Sequence, residues 1–257
     1  MAQDQYFWGE LPAGYAKRAD AAGNRMVVRQ GRERDIGFDI FSRLTVEAVP
    51  TAYHGRGALT AVRLSDGETA LVRQYRHGGV LRVLTRNWFF TWPARPFREL
   101  SITEELRRRG VPTVEIYAAC VRRSYGPFYQ GWLVSKEIGG AVDFWSALQQ
   151  GYLQRFGRET VFRAVATSVG AMHREGVYHG DLNLKNILLR QEAAGVSSYL
   201  IDFDKSKLFL GRLPAMLVKK NLDRMLRSVR RLDPDGRYFS AADWTQWVRI
   251  YHDLNDR

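Results

Sequence analysis

The chain has one cysteine, Cys120, which excludes an intramolecular disulfide and suits a reducing cytoplasm. It has no apolar run of about 18 residues or more, so no segment is expected to span a bilayer. The start, Met1-Ala2-Gln3-Asp4-Gln5, lacks the basic and apolar regions of a secretory signal. Internal repeats and low-complexity segments are also missing. Acidic residues are in short supply: 27 Asp and Glu stand against 39 Lys and Arg, a net charge of +12. Such an imbalance favours an anionic partner, whether nucleotide, nucleic acid or an acidic membrane surface. Lysine does not occur between Lys17 and Lys136. The remaining composition is that of a globular protein, and 257 residues suffice for one large domain or two modest lobes.

What the chain does have is centred on His179-Gly180-Asp181-Leu182-Asn183-Leu184-Lys185-Asn186, which runs into the apolar Ile187-Leu188-Leu189. An Asp two residues after a His, with an Asn five residues after that Asp, is the spacing of a kinase catalytic loop. There the Asp accepts the substrate hydroxyl proton and the Asn holds a magnesium ion. A second carboxylate follows in Leu200-Ile201-Asp202-Phe203-Asp204, a short strand ending in Asp-Phe, the position from which kinases hold the main magnesium ion. Phosphoryl transfer needs a carboxylate beside the acceptor oxygen and oxygen ligands that place the metal on the phosphates. Asp181, Asn186 and Asp202 supply that set. Lys185 stands next to Asn186, where it can reach the transferring phosphate or serve only as surface.

The N-terminal half reads as a small antiparallel sheet with one helix. Residues 1 to about 44 give no clear pattern. Tyr53-His54-Gly55-Arg56-Gly57-Ala58-Leu59 precedes the alternating Thr60–Leu64, then a Ser65-Asp66-Gly67-Glu68 turn and a strand over Thr69–Tyr75. Gly55 and Gly57 would let backbone N–H groups approach nucleotide phosphates closely. Thr60 stands where a third Gly would be, so a plain hairpin is the alternative. Arg73 occupies the strand position at which a Lys is expected, and a guanidinium can bridge phosphate and carboxylate. A solvated strand arginine is its alternative role. Trp88, Phe89, Phe90 and Trp92 lie among Arg82, Arg86 and Arg95, a pattern that suits a lipid headgroup or sugar contact or burial. The helix expected from Phe97 to Arg109 stops at Gly110 and Pro112. Glu99 shares the stripe of Ile102 and Leu106, with Arg73 as its natural partner, whereas Glu104 and Glu105 are expected to point away.

Two strands, within Val114–Val121 and Gly131–Lys136, lead to a hinge expected at Glu137-Ile138-Gly139-Gly140. The expected division is residues 1–137 for the N-terminal lobe and 138–257 for the C-terminal lobe. The second part reads as mainly helical, with a core-facing stripe over Glu159–Gly176. His173 near its end reads as structural. Between Lys205 and Arg231 stand nine Lys or Arg and one acid, Asp223, with Val218, Leu222, Met225, Leu226, Val229 and Leu232 at helical spacing. Such a basic amphipathic helix docks on its own domain with a solvated outer face, or faces an anionic membrane. Ser240–Tyr251 reads as a final packing helix.

These residues resemble the Kdo kinases of Gram-negative lipopolysaccharide synthesis. Besides the two motifs above, the likeness is carried by His54–Ala58, Leu71-Val72-Arg73-Gln74-Tyr75-Arg76-His77-Gly78-Gly79 and Asn221-Leu222-Asp223-Arg224-Met225-Leu226-Arg227-Ser228. The resemblance implies an α+β, two-lobed, protein-kinase-like fold. It implies ATP and Mg2+ as cofactors and transfer to the 4-hydroxyl of 3-deoxy-D-manno-octulosonic acid (Kdo) on a lipid A precursor. It places such a protein peripherally on the cytoplasmic face of the inner membrane. The charge excess then points to that anionic surface and to the Kdo-bearing lipid A precursor; no nucleic acid is expected as a partner, and no obligate protein partner is evident. Carried over by position, Asp181 is the base, Asn186 and Asp202 hold magnesium, Arg73 contacts phosphates and Glu99 orients it. Departures from protein kinases are Arg73 for Lys, Asp204 where the third motif residue is Gly, and no A-P-E segment. Alternative functions are a heptose kinase of the same core, another small-molecule kinase, or a silent basic scaffold on membrane or nucleic acid.

Overall fold

The computed structural model describes residues 9–39, 59–75, 88–91, 93–123 and 128–255. Gly55 and Gly57 lie outside these residues, as do Arg82, Arg86 and Trp92. The chain divides into two compact units: Met1–Glu105 with Glu115–Glu137, and Leu106–Val114 with Ile138–Arg257.

The first unit is a six-stranded antiparallel sheet. Its strands are β1 (Tyr15–Ala19), β2 (Arg25–Arg29), β3 (Leu59–Arg63), β4 (Thr69–Gln74), β5 (Ile116–Arg123) and β6 (Tyr129–Lys136). Their order across the sheet is β1-β2-β5-β6-β4-β3. The β3–β4 hairpin closes where Leu64 N–H donates to the Glu68 carbonyl at 2.8 Å, and Gly67 takes φ +83° there, a conformation that only glycine adopts freely. Alternation along the strands sorts the residues between two faces. Met26, Val28, Val72, Ala118, Cys120, Trp132 and Val134 form a buried cluster. Arg29 and Arg73 point the other way, where carboxylates of helix α1 (Arg95–Arg108) pair with them.

Helix α1 departs from its expected orientation. Glu104 does not point away from the core. It is 5% exposed, pairs with Arg29 at 2.6 Å and accepts the Ile116 N–H at 2.8 Å. Two charge-assisted partners hold a carboxylate that would otherwise be too costly to bury. The aromatic stretch is also tied into this unit. Phe89 is buried and bridges to Tyr129 through two 2.8 Å backbone hydrogen bonds, while Phe90 stays exposed.

The second unit is mainly helical. It carries α2 (Phe144–Gln149), α3 (Tyr152–Phe156), α4 (Arg158–Arg174), α5 (Ala215–Leu232) and α6 (Ala241–Asn255). A three-stranded antiparallel sheet, β10 (Gly195–Leu200), β9 (Ile187–Glu192) and β7 (Ala141–Asp143), and a short β8–β11 pair (Val177–Tyr178, Lys207–Leu208) complete it. Helix α4 packs on α6 and β10 through Val161, Phe162, Val165, Val169 and Met172, the stripe expected from the sequence. His173 is structural: Nδ1 meets the Tyr251 hydroxyl at 2.8 Å, Nε2 meets Asn221 Oδ1 at 3.2 Å, and burial pushes its pKa down to about 4. Among the described residues no helix is long and apolar enough to cross a membrane.

Candidate active site

The loop between β8 and β9 is fixed by a neutral, fully buried histidine. His179 Nε2 lies 3.0 Å from the Ile201 carbonyl, which only accepts, so this nitrogen carries the hydrogen. Nδ1 is then free to accept the Asp181 N–H at 3.1 Å. An imidazolium would set N–H against N–H at that contact. Burial also pushes the His179 pKa down, against the opposing pull of the Ile201 carbonyl, Asp202 and Asp181. One ring thereby joins the backbone before Asp202 to the backbone of Asp181. The Phe203 ring packs against it at 4.9 Å between centroids.

Around this pivot the polar side chains interlock. Asn186 Nδ2 and Asn183 Nδ2 both donate to the Asp181 carbonyl, at 2.8 and 2.9 Å. Asn183 Oδ1 accepts the Lys185 N–H at 2.9 Å and caps the 3-10 turn Leu184–Asn186. Ile201 N–H donates to the Asn186 carbonyl at 3.0 Å, locking the residue before Asp202 to the loop. Asp202 itself has φ +68°, the one positive value for a non-glycine among the described residues. Gly180 has a steric reason. A Cβ there would lie 2.2 Å from the Lys205 carbonyl oxygen, so only glycine lets the segment after Asp202 approach the loop this closely.

Helix α5 supplies a clamp that the sequence pattern does not announce. Asn221 is fully buried; its Nδ2 donates to the His179 carbonyl at 2.6 Å and its Oδ1 accepts the His179 N–H at 3.2 Å. Ser228 Oγ accepts the Leu184 N–H at 3.3 Å. Arg224, between them on the same stripe, brings Nη1 to 3.6 Å from Asp181 Oδ1. In the sequence the signals are two small polar residues, Asn221 and Ser228, beside the apolar stripe of Leu222, Met225 and Val229, within a stretch that carries the family likeness but does not say what it touches.

In the first unit, Arg73 Nη2 donates to both carboxylate oxygens of Glu99, at 2.6 and 2.5 Å. Glu99 is 2% exposed and also accepts from the Tyr75 hydroxyl, whereas a quarter of the Arg73 side chain remains open. The buried carboxylate thus aims a guanidinium whose outer edge reaches solvent. Tyr75 lies under that guanidinium, 5.0 Å from its centre.

The structure therefore brings Asp181, Lys185, Asn186 and Asp202 into one hydrogen-bonded segment of the second unit and pairs Arg73 with Glu99 in the first. Lys185 is exposed, and its side chain has no partner among the described residues. The donor set suits magnesium. Asn186 commits its Nδ2 to the Asp181 carbonyl, which leaves Oδ1 for a cation, and Asp202 adds a carboxylate. No group of three or more His, Cys, Asp or Glu able to hold a metal occurs among the described residues. Two oxygen ligands are what Mg2+ commonly takes from a protein, since waters and phosphates complete its shell.

Residues 44–251 match the model of the lipopolysaccharide kinase (Kdo/WaaP) family. The chain is 34% identical over 190 residues to a 3-deoxy-D-manno-octulosonic acid kinase of Xylella fastidiosa, covering 72% of this chain and 71% of that one. It is 35% identical over 180 residues to a Vibrio vulnificus protein of the same name, covering 69% and 71%. A Pasteurella multocida protein, again of that name, is 32% identical over 203 residues, covering 77% and 82%. Among solved structures, WaaP in complex with acyl carrier protein superposes with a TM-score of 0.55 over 89% of both chains at 20% identity, a likeness of fold.

Proposed function

Since the chain belongs to the lipopolysaccharide kinase (Kdo/WaaP) family, we infer that it is an ATP-dependent phosphotransferase that phosphorylates Kdo in lipopolysaccharide core biosynthesis. The acceptor hydroxyl in this reading is the 4-hydroxyl of Kdo on a lipid A precursor. The observation that supports the mechanism is the lattice joining Asp181, His179, Asn186 and Ile201, which keeps Asp181, Asn186 and the backbone before Asp202 in one frame.

Asp181 takes the proton of the attacking hydroxyl, a role that requires its carboxylate to stay where the acceptor arrives. Its backbone is held at both ends, N–H by His179 and carbonyl by Asn183 and Asn186, so the side chain has a fixed origin. Asn186 and Asp202 would hold Mg2+, which when bound to ATP neutralises phosphate charge. Arg73, aimed by Glu99, contacts nucleotide phosphates in place of the missing lysine. Lys185 reaches toward the transferring group. Incubation with γ-labelled ATP and a Kdo-bearing lipid A precursor, beside a heptose-bearing one, tests the reading. Label on the heptose acceptor alone would replace it with a heptose kinase.

The protein works peripherally at the cytoplasmic face of the inner membrane in this reading. Support comes from the outer face of α5, where Lys220, Arg227, Arg230 and Arg231 are exposed, and from the exposed apolar Leu208, Leu210 and Met216 just before and at its start. Each such cation near an anionic bilayer contributes roughly 1 kcal/mol, and salt screens the attraction. Sedimentation with anionic but not neutral vesicles, reversed by salt, is the expected result; equal binding to both would remove the electrostatic basis.

A further inference from the structure

The α5 clamp holds one member that is not used as a clamp. Asn221 and Ser228 are hydrogen-bonded to the catalytic loop, but Arg224, at the same helical phase, is not. Its Nη1 stops at 3.6 Å from Asp181 Oδ1, too far for a hydrogen bond. Its Nε is buried and has no hydrogen-bond partner among the described residues. The nearby Lys219, in contrast, is satisfied by Asp223 at 2.8 Å. A buried unpaired donor in a native site calls for an explanation. Here a planar fork of N–H donors stands beside the carboxylate that receives the acceptor's proton, with over a third of its side chain open to solvent.

We propose that Arg224 is the specificity-determining residue that binds the carboxylate of the acceptor sugar. The inference rests on the Kdo reading above. Kdo is an ulosonic acid and carries a carboxylate on the ring that bears the reacting hydroxyl, whereas a heptose has none. A guanidinium fork is complementary to a carboxylate, and when one binds, the Arg224 donors gain partners while Asp181 is left to the hydroxyl. A site built around such a pair rejects a neutral sugar because the buried Arg224 Nε would stay without a hydrogen-bond partner.

The test crosses two acceptors with three enzymes, all full-length. The acceptors are a soluble Kdo glycoside and its C1 carboxamide, which has nearly the same shape and no charge. The enzymes are wild type, Arg224→Gln and Arg224→Lys, checked for equal thermal midpoints. Wild type should prefer the carboxylate by about 10- to 100-fold in kcat/KM, the scale of one hydrogen-bonded charge. Arg224→Gln should lose that factor on the carboxylate and treat both acceptors alike, with KM for ATP unchanged. Arg224→Lys should recover part of the preference. The proposal falls if wild type ignores the carboxylate, if Arg224→Gln still discriminates, or if KM for ATP rises instead. Wild type that labels neither acceptor but labels a heptose overturns the Kdo reading and this inference with it. Wild type that labels both acceptors equally overturns this inference alone.

Discussion

Replacing Asn221 by alanine tests how the catalytic loop is held. Asn221 is fully buried, and its amide makes three contacts: with the His179 carbonyl at 2.6 Å, the His179 N–H at 3.2 Å and His173 Nε2 at 3.2 Å. Alanine keeps the helix and strands all three groups. A buried polar group left without its partner costs about 1–3 kcal/mol. The two backbone groups of His179 dominate, because they cannot rotate away. Water entering the vacated space recovers part of the loss, so the expected destabilisation is about 2–5 kcal/mol, a large share of the roughly 5–15 kcal/mol of a typical domain. Urea unfolding followed by tryptophan fluorescence would read it, since Trp244 and Trp247 lie on α6 of the same unit. Lys220→Ala, one residue away and exposed, is the control and should stay within about 0.5 kcal/mol. Turnover should fall at least tenfold in urea-free buffer, because Asp181 takes its position from His179. An Asn221→Ala midpoint equal to that of Lys220→Ala, with normal turnover, would refute the clamp.

The remaining expectations concern chemistry and pH. Asp181→Asn should lower kcat by about 10²–10⁴-fold with Mg-ATP binding retained, whereas Asp202→Asn should also weaken Mg-ATP binding; near-normal turnover in either would move the site elsewhere. Arg73→Ala should raise the apparent KM for ATP and Arg73→Lys should rescue it only partly, because a point charge cannot replace the fork held by Glu99; unchanged ATP kinetics would pass the role to another cation. His173 titrates near 6.5 when unfolded and near 4 when folded, so protons bind the unfolded chain first as pH falls through that window. Stability should therefore be full above pH 6.5 and drop by about 2 kcal/mol at pH 5 from this residue, with His179 adding in the same direction. His173→Gln should flatten the pH dependence of the urea midpoint; an identical slope would remove His173 as its source.

What the sequence made legible is what is local. Asp181, Asn186 and Asp202 fall within one short stretch, and the structure ties that stretch together through His179, Asn186 and Ile201. The Arg73–Glu99 pair was legible because a carboxylate on the buried stripe of a helix needs a cation, and the strand at hand offered one. The misplacement of Glu104 shows where that logic fails. Its partner, Arg29, sits on β2, and β1 and β2 come from Tyr15–Ala19 and Arg25–Arg29, where arginine, lysine and alanine hide the alternation of a strand. With the strand unread, the need for a second buried carboxylate was invisible. The α5 clamp was missed for another reason. Its contacts join residues more than forty positions apart, and a helical period reveals which residues share a face but not what that face touches.

The same helix changes how the charge excess is to be understood. Counted along the sequence, its cations form one dense patch; in three dimensions they divide. Arg224 turns to Asp181, and Lys219 is tied to Asp223. Lys220, Arg227, Arg230 and Arg231 remain exposed. Asn221 and Ser228, which bind the loop, adjoin these cations on the same helix, so α5 joins the exposed cations to the loop that carries Asp181. A flexible basic tail would carry the same charge without a fixed relation to the loop. Building the cations into the helix that clamps His179 ties their position to that of Asp181.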